Sequence, residues 1–152
     1  MLQAIAVLTA TLALTDAAVS SDTGKLHTAA ANVISGHPQE YCAAVLEVEG
    51  ITDTCESEDP LCVDRVIVRE VLGQRTTDAK AVKKGEHVLM LAGFIHDRAD
   101  IRKGVRIVMV GVPVWLHGEF WSYSPLALKV NPTPEDIAEV KRAVSDSKRP
   151  GV

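Results

Sequence analysis

Short runs of alternating apolar and polar side chains, each closed by a glycine or a turn-forming cluster, fill the middle of this chain and constrain its fold most. In Cys42-Ala43-Ala44-Val45-Leu46-Glu47-Val48-Glu49, the residues Cys42, Ala44, Leu46 and Val48 share one face, the period-two pattern of a half-buried strand. Gly50, Thr52 and Asp53 then supply turn chemistry. A second run, Val63 to Leu72, is rich in β-branched residues and is ended by Gly73. Two later runs echo each other: Lys84-Gly85-Glu86-His87-Val88-Leu89-Met90-Leu91 and Lys103-Gly104-Val105-Arg106-Ile107-Val108-Met109-Val110 both read as a basic turn, a glycine and a strand. A solenoid needs at least three such units to bury a continuous core, so the echo predicts two similar approaches to one sheet. Pro113 is expected to end the second of these strands or to lie at an edge, because proline donates no ladder hydrogen bond. Phe120 to Tyr123 and Leu126 to Val130 read as a final strand, or a strand pair broken by Pro125.

One helix is specified at its start. Thr133 is the N-cap, Pro134 takes the first helical position, and Glu135 and Asp136 place acid in the positive first turn. Ile137, Val140 and Val144 form an apolar stripe for docking on the sheet, with Lys141 and Arg142 assigned to the negative C-terminal end. Leu26 to Ile34 reads as either a short helix or a first strand. A chain of 152 residues can bury one core without a metal or dense disulfides, and several short strands between glycine turns predict a mainly β barrel or sandwich.

The order of these elements resembles secreted bacterial domains of the OB-fold type and, more loosely, the netrin-like modules that include tissue inhibitors of metalloproteases. Ala43 to Val48, Val66 to Gly73, Lys84 to Val88, and Gly104 to Pro113 with the terminal helix carry the resemblance. It implies a small OB-like barrel of about five strands with a C-terminal α-helix, spanning 41–147 after an N-terminal segment at 21–40. Metalloprotease inhibition in that group uses a cysteine at the mature N-terminus, whereas the first cysteine here is Cys42. That mechanism does not carry over.

From Met1 to Thr15 no side chain is charged and apolar residues run almost unbroken. The stretch is shorter than the roughly 20 residues that span a bilayer and has the character of a secretory h-region, with Ala18-Val19-Ser20 as a small-x-small cleavage site. Residues 1–20 are therefore expected to be a signal peptide, the product periplasmic or secreted, and the mature chain without a membrane span. Cys55 and Cys62 bracket the acidic loop Glu56 to Leu61 and are assigned to a disulfide. Cys42 lies on the apolar face and is read as a small buried hydrophobe, because no His, Asn or Asp pattern beside it marks an activated thiol.

The chemistry-bearing motifs exclude more than they include. Sixteen Lys and Arg against 20 Asp and Glu give a net charge of −4, and no stretch gathers enough bases for a row of phosphates, which argues against nucleic acid. The doublets Lys83-Lys84 and Arg102-Lys103 read as solvated turn residues. No GxSxG elbow, phosphate-cradling loop or dinucleotide fingerprint occurs, the five histidines show no zinc spacing, and neither a metal nor another cofactor is implied. Aromatic residues make up only 4% of the chain, yet Trp115, Phe120, Trp121 and Tyr123 stand close together. The expectation is a noncatalytic exported domain whose contact site is Trp115, His117, Trp121 and Tyr123, binding a protein, peptide or carbohydrate. Two rivals stand beside it: a small metal-dependent hydrolase using His96, Asp97 and His117, and a structural envelope protein in which the aromatic cluster is buried.

Overall fold

A computed structural model describes residues 24–50, 63–77, 81–91, 100–116 and 120–149, with the backbone alone between 115 and 125. Helix α1 covers 24–36. Strands β1 (Tyr41–Gly50), β2 (Val63–Arg75), β3 (His87–Leu91), β4 (Arg106–Leu116) and β5 (Phe120–Val130) follow, and helix α2 (Pro134–Ser147) closes the order. The strands form a barrel closed in the order β1-β2-β3-β5-β4. Every neighbouring pair is antiparallel except β3 and β5, which run parallel through Leu89 opposite Ser122 and Met90 opposite Tyr123.

The period-two face of β1 lines the barrel interior. Cys42, Ala44, Leu46 and Val48 are buried there with Val66 and Val68 of β2, Val88 and Met90 of β3, and Ile107 and Met109 of β4. Leu128 and Val130 of β5 pack against this cluster, so the lumen is filled with aliphatic side chains. The opposite face of β1 is also apolar at its start. Tyr41, Ala43 and Val45 join Val108, Val110 and Ala127 in a second core, which Ala30 and Ile34 of α1 and Val140, Ala143 and Val144 of α2 cover from outside. One strand thus serves two cores because two helices lie on the outer wall.

Both helices follow from their spacing. In α1, Leu26, Ala29, Ala30, Val33 and Ile34 recur three and four apart and all belong to the second core; the alternative of a first strand at this stretch is thereby set aside. In α2 the Thr133 hydroxyl accepts from the Asp136 N–H, and the Asp136 carboxylate accepts from the Thr133 N–H, a reciprocal cap. Val140 and Val144 are buried as the stripe predicts. Lys141 and Arg142 differ from expectation: the helix runs on to Ser147 with no base in its last turn, and the two cations pair with Glu70 and Glu139 instead. Glu139 of α2 is buried and also accepts the backbone N–H of His27 in the first turn of α1, which ties the two helices together.

Three strands run on through a proline or glycine: Gly73 was expected to end β2, whereas at Pro113 and Pro125 a stop was one of two expectations. β4 continues through Pro113, which pairs with Tyr123 of β5; β1 leaves β4 at Gly111, so Pro113 lies where that side of the strand has no β1 partner. β5 continues through Pro125, opposite Gly111, while Ala127 faces Val110. Leu126 is therefore an extra residue, and it is half exposed. A bulge is a position where a strand tolerates proline. β2 continues through Gly73 to Arg75, since a Cβ at Gly73 would lie 2.4 Å from the Val144 Cγ1 of α2. That glycine admits the helix.

The two Lys-Gly echoes form one device used twice. Glu86 N–H donates to the Lys83 carbonyl at 3.1 Å and Val105 N–H to the Arg102 carbonyl at 3.0 Å, and Gly85 and Gly104 share φ of +89°, the glycine-requiring turn of type II. Gly85 N–H donates to the Val68 carbonyl and Gly104 N–H to the Val48 carbonyl, both at 2.7 Å. Val68 and Val48 return the bond, donating to the Glu86 and Val105 carbonyls at 2.9 Å. Each turn is thereby clasped onto a strand, one on β2 and the other on β1.

Candidate functional site

Where the helices end, the outer wall of the barrel changes character. On β1 the outward series passes from Tyr41, Ala43 and Val45 to Glu47 and Glu49, the last two beyond the helical cover. Bulges enrich this open part in charge. Along β2, Val68 faces Leu46 and Glu70 faces Val45, leaving Arg69 as an extra residue. A bulge of this kind sends two successive side chains to one side. Arg69 donates to Glu47 on β1 at 2.9 Å, and Glu70 meets Lys141 of α2 at 2.9 Å. Glu49 is likewise an extra residue, between Val48 and Gly50, and it meets the His87 Nδ1 of β3 at 2.7 Å.

A polar trough results, running across β4, β1 and β2. It consists of two adjoining open concavities that share Glu47 and Arg69. The first, of about 390 Å³, is bordered by Glu49, Arg65, Ile67 and Lys103; the second, of about 550 Å³, by Glu70, Lys84, Arg106 and Ile137. Arg65 lies flat over the strand, since a Cβ at Gly50 would come within 3.3 Å of its Nη2. The clasped turns place Lys84 and Lys103 at the rim.

Charge pairing in the trough is uneven. Arg69, through its hydrogen bond and its charge, holds the Glu47 carboxyl below its ordinary value of 4.5, with Arg106 adding a smaller push. Glu47 in turn raises Arg69. Each carboxylate thus has its own partner: Glu47 has the Arg69 guanidinium, Glu70 has the Lys141 ammonium, and Glu49 has a hydrogen bond with the His87 ring. Among the described residues, Arg65, Lys84 and Lys103 have no carboxylate, and Arg106 stands 4.0 Å from a Glu47 oxygen that Arg69 already holds.

Of the contact site expected from sequence, the backbone places Trp115 opposite Trp121 and Pro113 opposite Tyr123 in the β4–β5 ladder. Positions opposite one another, or two apart along a strand, fall on one side of a ladder, so the register positions of Trp115, Trp121 and Tyr123 share a side. His117 lies outside the described residues, as do His96 and Asp97 of the hydrolase alternative and Cys55 and Cys62 of the expected disulfide. The leader at 1–20 lies outside them too. Cys42 is buried in the barrel core. Among the described residues, no group of three or more His, Cys, Asp or Glu is arranged to hold a metal, and no helix is long and apolar enough to cross a membrane.

Sequence reading passed over the trough because its bases come from separate segments, and Lys83-Lys84 and Arg102-Lys103 read locally as turn residues. Its available signals were the repeated Lys-Gly turn and the adjacent Arg69-Glu70 pair inside a strand, which strict alternation does not accommodate. No protein-family model matches the chain, and no curated protein sequence matches it either.

Proposed function

We propose that this chain is an exported, noncatalytic binding module on an OB-type barrel, recognising a protein, peptide or carbohydrate partner with its outer surface. The observation that carries the reading is the filled lumen. Leu46, Val66, Met90, Ile107 and Met109 occupy the barrel interior with almost no exposure, so among the described residues the lumen is packed with side chains, as in the small barrels that side chains fill. Binding falls to the outside, where the helices cover one part of the wall and leave the charged trough and the β4–β5 hairpin. The strand order with β3 and β5 parallel supports the OB assignment, and the apolar, uncharged stretch at 1–15 supports export.

Titration of the chain against peptides and oligosaccharides, followed by tryptophan emission, tests this reading. A saturable change that Trp121→Ala removes supports it. No response across both ligand classes, together with ester or amide hydrolysis that His96→Ala and His117→Ala abolish, replaces it with the hydrolase. Tryptophans that iodide cannot quench, with neither binding nor hydrolysis, favour the structural envelope protein.

A further inference from the structure

We propose that the trough across β1 and β2 is a docking surface for an acidic peptide segment of a protein partner. The inference rests on the reading of the chain as a binding module, though not on the hairpin. Its basis is the imbalance of partners within the trough. The three carboxylates already have partners, Glu47 and Glu70 in the cations Arg69 and Lys141 and Glu49 in a hydrogen bond with the His87 ring, whereas Arg65, Lys84 and Lys103 have no carboxylate among the described residues and Arg106 holds only a shared oxygen at 4.0 Å. These four unmatched or half-matched cations sit together on a chain whose net charge is −4.

Their positions are set by backbone rather than by flexible side chains alone. Lys84 and Lys103 occupy equivalent places in two clasped turns, and Arg65 lies against the backbone at Gly50. Preorganised cations lose less freedom on binding an anion, and the planar guanidinium of Arg65 suits a carboxylate in bidentate geometry. The interleaved carboxylates decide between classes of anion. A sulfated polysaccharide brings negative charge at fixed spacing and meets Glu47, Glu49 and Glu70 directly. An acidic peptide brings side-chain carboxylates for the bases and backbone N–H donors for the remaining lone pairs of those three residues. The two concavities, of about 390 and 550 Å³, have room for side chains of an extended segment.

Fluorescence anisotropy of a labelled hexaglutamate peptide at low ionic strength tests the assignment on the full chain. Saturable binding is expected, weakened roughly fivefold to tenfold by Arg65→Ala with Lys103→Ala, in keeping with two partly exposed ion pairs. The charge-matched control Lys129→Ala with Lys148→Ala is expected to leave it unchanged. Glu47→Gln is expected to tighten binding, because it releases Arg69 and Arg106, and a misfolded variant does not mimic a gain. Equal loss in the control pair, or no gain in Glu47→Gln, overturns the proposal. So does stronger competition by dextran sulfate than by unlabelled peptide, which identifies a general polyanion surface. A chain that ignores hexaglutamate while keeping a Trp121-dependent response to another ligand loses the trough assignment and retains the binding module; a chain silent in both assays loses both.

Discussion

Gly73 and Arg69 show how single positions on β2 set what happens on the outer wall. At Gly73 the constraint is steric, for the Val144 side chain of α2 occupies the space a Cβ needs. Gly73→Ala is therefore expected to destabilise the fold by about 1–3 kcal/mol, the usual cost of overpacking. Denaturant unfolding measures it, and adding Val144→Ala should recover part of the loss; equal stability of Gly73→Ala and wild type contradicts the close packing. At Arg69 the constraint is electrostatic. Its contact lowers the Glu47 pKa from 4.5, and a carboxylate depressed in the folded state lends stability above its unfolded value that disappears as pH falls through the folded value. Carboxyl chemical-shift titration of Arg69→Ala should show the Glu47 pKa rising toward 4.5, and the acid side of the stability profile should flatten. Solvent reaches both groups, so the effect on total stability is small.

At the scale of elements, the repeated clasp is the clearest case of a local pattern with a structural meaning. Gly85 and Gly104 have the same φ of +89° and the same pair of bonds to a valine on a neighbouring strand. Gly85→Ala and Gly104→Ala are each expected to cost about 1–2 kcal/mol, since an L side chain is strained at positive φ. Thermal unfolding of the two variants should give similar losses; a loss in one and none in the other denies that the turns are equivalent. The echo was legible in the sequence as two glycine-led strands, but which strands they clasp was not, because hydrogen bonds between segments far apart in the chain leave no local pattern. Leu26 to Ile34 shows the converse. Its three-and-four spacing was present, yet alanine and β-branched residues in one short stretch leave helix and strand open until a partner face exists. Tyr41, Ala43 and Val45 on β1 supply that face.

Across the whole molecule, alternation identified the barrel strands and the face of β1 that looks inward. It mistook the end of β2, where Gly73 reads as a stop, and left open whether Pro113 ends a strand or lies at an edge and whether Pro125 divides β5. Each is accommodated by tertiary context: a helix over Gly73, a side that β1 has left at Pro113, and a bulge beside Pro125. Alternation also concealed part of the trough, since the bulge at Arg69 leaves Arg69 and Glu70 exposed in succession, against the period of two. A candidate surface assembled from three strands and two turns emerges only when the wall is closed.

That closure supports the rest, because the proposal that binding falls to the outer wall rests on a closed barrel whose interior is packed. Its narrowest seam is β3 against β5, paired at Leu89–Ser122 and Met90–Tyr123. Interstrand NOEs in solution test it directly. Contacts between the backbones of Leu89 and Ser122, alongside those between Leu46 and Ile107 across β1 and β4, are the predicted result. NOEs across every other strand pair with none between β3 and β5 would reveal an open, curled sheet and contradict the account.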